Sequence, residues 1–346
     1  MDPQKTGLRY PWELPPEPGG WTEVAEGILW IRLPLPMRLD HVNVYALDDG
    51  DGWTVIDTGF GSNKTRSMWQ AVMAGPLKGK PVRRVIMTHH HPDHIGNVGW
   101  FQSELGAELI STRTAWLFAR MLLLDHHTLP VAETVEFWRR SGMEPEVLEK
   151  KATEKAFSFA DVVYPMPLGF TRIEDGGTIR MAGRTWDIWT GNGHAPEHAT
   201  FWSREDNLVI SGDQILPSIS PNIGVYATEP EADPLQGWLD SCERFLPLAR
   251  VDHLVLGGHK LPFTGLAFRL HQLIDNHHGA LERLERFLAE PHTAAQCFAT
   301  LFKRSIGYDE YGMALVEAVA HVNHLWRRGT VSRERRQDGA FVYRCP

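Results

Sequence analysis

Between positions 88 and 97 the chain reads Thr88-His89-His90-His91-Pro92-Asp93-His94-Ile95-Gly96-Asn97. Four of these side chains, His89, His91, Asp93 and His94, have the donor chemistry of divalent-metal ligands, since neutral imidazoles and a carboxylate suit zinc and related ions. Alternation along an extended strand end puts His89 and His91 on one side, and Asp93 and His94 turn toward a second position. A lone exposed histidine would be read as a solvated loop residue. Five His and Asp residues in six positions, directly after an apolar run, call for a metal. His90 is expected to point away from its two neighbours, as a supporting or solvent-facing residue.

Three more candidates stand where strands are expected to end. His194 closes Thr190-Gly191-Asn192-Gly193-His194, where glycines let the backbone come close to an ion. Asp213 closes Ser211-Gly212-Asp213, and a carboxylate can bridge two cations as no imidazole can. His259 closes Gly257-Gly258-His259. Each alone reads equally well as a turn residue; four strand-end sites with seven fitting donors read as one centre. His198 is expected to be structural support near that centre, and His41 to lie just before a strand. The pairs His126-His127 and His277-His278 are read as solvated helix faces, the first also as a candidate substrate contact.

The elements that must position these residues are strands and helices in alternation. Short β-like runs cover 27–31, 42–47 and 53–57, with Asp48-Asp49-Gly50-Asp51-Gly52 as a hairpin turn. A helix is predicted over 62–73, a buried strand over 82–88, a helix over 97–105 and a strand over 108–111. From 114 to about 160 the pattern is helical, an insertion between two β-rich halves. Strand signals resume at 176–189, 208–211 and 254–256. After about 265 three helices and a terminal hairpin (330–335 and 341–344) describe a winged-helix-like module. Residues 1–20 are expected to form an extended arm, because Pro3, Pro11, Pro15, Pro16 and Pro18 exclude regular structure.

Composition bounds the function. The 346 residues carry 35 Lys+Arg against 43 Asp+Glu, a net charge of −8, which argues against a protein built to grip phosphate backbones. With 42% hydrophobic and 23% charged residues the chain can bury a sizeable core, so disorder, collagen and coiled coil are ruled out. Cys242, Cys297 and Cys345 lie far apart and form no paired framework, which fits a reducing compartment. With no apolar signal region and no membrane-length apolar run, the expectation is a soluble cytoplasmic protein.

At this point the chain resembles the metallo-β-lactamase superfamily. The family's HxHxDH, Gly-His, Gly-Asp and late Gly-His are matched by residues 89–94, 193–194, 212–213 and 258–259, and its Asp-Thr-Gly turn by Asp57-Thr58-Gly59. The resemblance covers about 21–265. It implies an α/β fold, a four-layer αβ/βα sandwich with two face-to-face sheets, carrying a dinuclear metal centre at one edge. By this analogy the first metal takes His89, His91 and His194, the second takes Asp93, His94 and His259, and Asp213 bridges. Asp57 would brace the metal loops, and Asp93 would orient the nucleophile or relay a proton. The metals are expected to be zinc, with iron or manganese as alternatives. Such a pair lowers the pKa of a shared water and polarises the substrate oxygen.

Residues 266–346 resemble the winged-helix extension of the lactamase-beta-like group, relatives of the hydroxyacylglutathione hydrolases, and the stretch from Ser220 to Tyr226 is similar to that group too. This implies a hydrolase of small acyl substrates, thioesters first and lactones next, with His198 and Tyr226 as candidate substrate or supporting contacts. Two alternatives stay open: a single-strand endoribonuclease and an iron-dependent persulfide dioxygenase. The tail is only mildly basic, so packing or homodimerisation is the expected role of the module, with nucleic acid the lesser alternative.

Overall fold

The computed structural model describes residues 7–346; positions 1–6 of the expected arm lie outside the described residues. Residues 7–20 carry no helix or strand, only an isolated bridge from Arg9 to Thr264. The chain forms two compact units. The first comprises residues up to His126, Ser158–Pro221 and Leu246–Arg269; the second comprises His127–Phe157, Asn222–Phe245 and Leu270–Pro346.

The first unit holds two sheets. Strands β1 (Trp21–Ala25), β2 (Ile28–Pro34), β3 (His41–Asp48) and β4 (Trp53–Ile56) form an antiparallel meander, and β5 (Val82–Ile86), β6 (Glu108–Ser111) and the two-residue β7 (Thr171–Arg172) extend it in parallel, giving seven strands in sequence order. The second sheet runs β12 (Leu254–Gly257), β11 (Leu208–Gly212), β10 (His198–Ser203), β9 (Arg184–Gly191), β8 (Thr178–Met181). Side-chain alternation sorts the first sheet into two buried faces. Leu29, Ile31, Leu33, Val42, Val44 and Ala46 join one core with Trp69 and Val72 of α1 (Asn63–Ala74), Val98 and Phe101 of α3 (Val98–Leu105), and Ala115 and Ala119 of α4 (Arg113–Leu124). Ile28, Trp30, Tyr45 and Leu47 point the other way and meet Trp186, Ile188, Phe201 and Ile210 of the second sheet. Two sheets packed face to face, with helices outside the first, are therefore written into the period-2 pattern.

Strand direction decides where the chemistry collects. β4 and β5 are parallel, so both release their chains at the same edge. β9 and β11 each pair antiparallel with β10, and β11 pairs parallel with β12, so these three also end together. A hydrogen bond from Ala199 N to Thr88 O, 2.8 Å, ties the two sheets at this edge.

The second unit contains α5 (Ala132–Arg140), α6 (Pro145–Thr153), α7 (Pro234–Phe245), most of α8 (Leu266–Phe287), α9 (Phe298–Phe302), α10 (Tyr311–Arg327) and the antiparallel hairpin β13 (Ser332–Arg335)–β14 (Phe341–Arg344). The expected insertion at 114–160 is divided. α4 stays with the sheets, whereas 127–157 joins the C-terminal helices because Met143, Trp138 and Leu148 pack with Ala295, Tyr311 and Leu315. Segment 222–245 joins them as well, held by Asn323 Nδ2 to the carbonyls of Pro230 and Ala232 and by His324 Nδ1, 3.1 Å from Asp233. The expected boundary at 265 falls instead within α8. No helix among the described residues is long and apolar enough to cross a membrane.

Candidate metal centre

All seven expected donors lie at one edge of the first unit. Nitrogen and oxygen atoms within 4.8 Å of one another form three groups: His89, His91 and His194; His89, His94 and Asp213; and Asp93, His94 and His259. Asp213 reaches across them. Its Oδ1 is 3.4 Å from His94 Nε2, and its Oδ2 is 3.1 Å from His259 Nε2 and 3.7 Å from His194 Nε2. Asp93 lies 3.4 Å from His259 Nε2 and 3.6 Å from His94 Nε2. It is the second residue of α2 (Pro92–Ile95), a single turn whose proline at its first position fixes the entry of the chain.

Three of the imidazoles, His89, His94 and His259, are aimed by their other nitrogen, the support that metal-binding histidines commonly have. Nδ1 of His94 lies 2.8 Å from Asp57 Oδ2, and Nδ1 of His259 donates to His41 O at 2.7 Å. Nδ1 of His89 donates to Thr88 Oγ1 at 2.9 Å, and that hydroxyl gives its own proton to Asp57 Oδ2 at 2.8 Å. Asp57, buried and left-handed at φ 60°, takes Thr88 N as well, so one carboxylate braces both the 88–94 loop and His94. Asn43 and Tyr45 of β3 hold the His259 loop through the carbonyls of Gly257 and Lys260. Close approach is enforced at two glycines. A Cβ on Gly96 would stand 2.1 Å from Gly61 N, and one on Gly258 would stand 2.2 Å from Asp213 Oδ1.

The electrostatics suit cations. Burial, reinforced by neighbouring imidazoles, holds His89 and His91 well below the usual histidine pKa, in the neutral form that ligates. Burial also opposes charge on His94 and His259, but the Asp213 and Asp93 carboxylates outweigh it: His94 stands well above its usual value and His259 at about 9. The carboxylates of Asp213 and Asp93 stay below the usual range despite burial, held by those same histidines. His94 Nε2 and Asp213 Oδ1 are buried and make no hydrogen bond, an arrangement that costs stability unless a cation satisfies both. The donor set therefore fits divalent metal ions.

Other candidates fall differently. His198 is fully buried, stacks on His89 with ring centres 4.5 Å apart, and accepts from Asp213 N at 3.0 Å, so it supports two of the seven at once. His90 does not face solvent: it is buried, its ring 5.1 Å from Phe118 of α4, which packs along the sheet and covers that side. His277 is not solvated either. It is buried 3.2 Å from His321, while His278 is exposed. His126 and His127 are exposed in the coil after α4 rather than on a helix. His41 is buried as the first residue of β3, its Nε2 accepting from Lys260 N. Tyr226 belongs to the second unit, 50% exposed and packed beside Gly224. Sequence reasoning missed Thr88 and Glu197. The Glu197 carboxylate accepts from Thr114 N and its carbonyl from the Thr112 hydroxyl, pinning the His194 loop to the start of α4. Its signal was faint, a single polar residue in Ala195-Pro196-Glu197.

Two face-to-face sheets with a His/Asp cluster at the strand ends define the class: the chain belongs to the metallo-β-lactamase superfamily, whose family model matches residues 37–259. A second model, the metallo-β-lactamase-like C-terminal domain, matches 281–345. The chain is similar to a β-lactamase domain protein from Burkholderia ambifaria of known structure, at 35% identity over 98% of each chain with a TM-score of 0.89. It is also similar to a metallo-β-lactamase family protein from Thermus thermophilus, at 27% identity over 94% of this chain and 100% of that one, TM-score 0.78. The Bacillus subtilis "Probable metallo-hydrolase YqjP" is 25% identical, over 87% of this chain and 92% of its own length.

Proposed function

We propose that the chain is a metal-dependent hydrolase of small acyl compounds, with thioesters as the leading substrates and lactones next. The observation that carries the reading is the convergence of seven donors into overlapping groups at one edge. His89, His91 and His194 would hold one divalent cation, and Asp93, His94 and His259 a second, with the two oxygens of Asp213 serving both. Imidazole and carboxylate donors favour zinc, with iron or manganese as the alternatives metal analysis would reveal. Bound there, the cations supply an acidified water and a polarised substrate carbonyl.

The chain's own residues do the rest. Asp57, Thr88 and His41 orient the ligand rings. Asp93, with 17% of its side chain exposed against 8% for Asp213, is the carboxylate open to the cleft, so it takes the proton of the attacking water and returns it to the leaving group. The structured backbone around Gly96 and Gly258 keeps these groups within the narrow tolerance metal chemistry needs. A thiolate leaves with little need of that proton and takes it up afterwards as the free thiol, whereas an amide nitrogen must receive it in order to leave, so thioesters and activated lactones are easier substrates than amides.

Other parts of the reading follow from chemistry outside the centre. On the hairpin, Arg333 pairs with Glu231, Arg335 with Glu136 and Arg336 with Asp338, which leaves little of the basic surface a ribonuclease needs. Three free thiols fit work in the cytoplasm. The helices and hairpin of the tail suit a winged-helix-like packing or homodimerisation module.

Metal quantification followed by a panel of thioesters, lactones, phosphodiesters and β-lactams tests the proposal. Two equivalents of metal with thioester or lactone turnover are expected. Turnover confined to phosphodiesters, or oxygen uptake with a persulfide by an iron-loaded protein, would replace the acyl reading.

A further inference from the structure

The second unit forms an open cavity of about 480 Å³. That is within the size range of small-molecule sites, which combine an apolar lining with a few placed polar groups. Its floor is made by Phe137, Val319 and Tyr343, all buried, with Phe341 beside them. Three guanidinium groups from three elements converge on it: Arg140 from the end of α5, Arg327 from the end of α10 and Arg333 from β13. Drawing three cations to one apolar cavity is unfavourable unless anions balance them. The lining itself supplies two carboxylates, Glu231, paired to Arg333, and Glu229, so one of the three guanidinium charges is left in excess.

The arginines are held to different degrees. Arg333 lies over the Trp326 ring at 3.7 Å and the Phe341 ring at 4.5 Å, with 13% of its side chain exposed, so its plane is fixed in advance. Arg327 gives Nε and Nη2 to the Glu231 carbonyl, and Arg140 gives Nε to Glu136. These bonds leave Nη1 of Arg327 and both terminal nitrogens of Arg140 for a ligand. A guanidinium fork matches a carboxylate in two parallel bonds, while the aromatic floor matches a hydrocarbon body.

We propose that this cavity is a binding site for a small organic carboxylate carrying an apolar body, separate from the metal centre. The test is calorimetric titration of the metal-loaded, full-length protein with sodium octanoate and with phenylacetate. Inorganic phosphate serves as a head-only arm and 1-octanol as a body-only arm. Both carboxylates should bind saturably and more tightly than either half-probe. The Arg140→Gln/Arg327→Gln double variant should weaken them roughly tenfold or more, the loss expected for charged hydrogen bonds, with basal hydrolysis unchanged. Arg327→Lys, which keeps the charge and removes the fork, should weaken binding as well and serves if the double variant does not fold. Octanol binding as tightly as octanoate, phosphate binding as tightly as the carboxylates, or variants that bind like the parent would each overturn the proposal.

Discussion

Replacing Gly258 by alanine adds one methyl group at the point where the two sheets' loops come closest to the donors. The new Cβ would stand 2.2 Å from Asp213 Oδ1 and 2.8 Å from His94 Cε1, against ordinary contact at 3.4 Å or more. The backbone cannot retreat, because Gly258 N donates to Gly212 O at 2.8 Å and Gly258 O accepts from Asn43 N at 2.7 Å. The φ of Gly258 is not left-handed, so the substitution tests space alone. Asp213 must therefore move by about 1 Å, several times the roughly 0.2 Å tolerance of a metal ligand. A displacement of that size costs about 10²-fold in rate, and the overpacking costs about 1–3 kcal/mol of stability. Metal content by mass spectrometry, thermal unfolding and kcat/KM on the preferred acyl substrate would read all three. Gly312→Ala, with nothing near its added Cβ, is the control and should leave the metal content and rate intact. A Gly258→Ala protein with full metal content and parental kcat/KM would refute the idea that Asp213 is held at its limit of approach.

Asp57→Asn keeps a side chain that tolerates the left-handed backbone but removes the anion facing His94 Nδ1, so metal affinity or activity should fall about 10–100-fold, measured by competitive chelation. Chelating the metals should abolish turnover and lower the melting temperature. The stability lost is about 4 kcal/mol if free metal had stood near 1,000 times its Kd, and re-addition should restore both. In the second unit burial pushes His277 down to about 3 and His321 to about 4, from an ordinary 6.5. The folded state therefore binds fewer protons than the unfolded one across that interval. Their contribution is whole above pH 6.5, is lost progressively as the pH falls below it, and is gone once the pH has passed the folded values of about 4 and about 3. His321→Gln should flatten the fall of melting temperature between pH 6.5 and 4, and an unchanged slope would contradict this assignment.

What could be read in the sequence was what is local. His89, His91, Asp93 and His94 sit within six positions, and His194, Asp213 and His259 each follow glycine at a strand end, so type and spacing alone marked them. The hairpin at 341–344 was legible for the same reason, with its turn signal at Asp338-Gly339. Legibility ended where a residue's environment is assembled from distant segments. His90 alternates with two donors and so reads as outward, yet Phe118, nearly thirty positions later, covers it. His277 reads as a surface residue of a helix until α10 supplies His321 against it. Strand β10 was missed because its first residue, His198, follows the turn-like Ala195-Pro196-Glu197, and only pairing with β9 on one side and β11 on the other makes it a strand. The division of the helical insertion between the two units is hidden from the sequence for the same cause. Nothing in 127–157 announces that Met143 and Trp138 will find Tyr311 and Leu315 rather than the sheets. A donor's identity is thus encoded where it stands, while its aim and its shielding are encoded elsewhere. Substitutions at Thr88, Glu197 or Phe118, none of them a donor, are accordingly where the centre is most open to silent disruption.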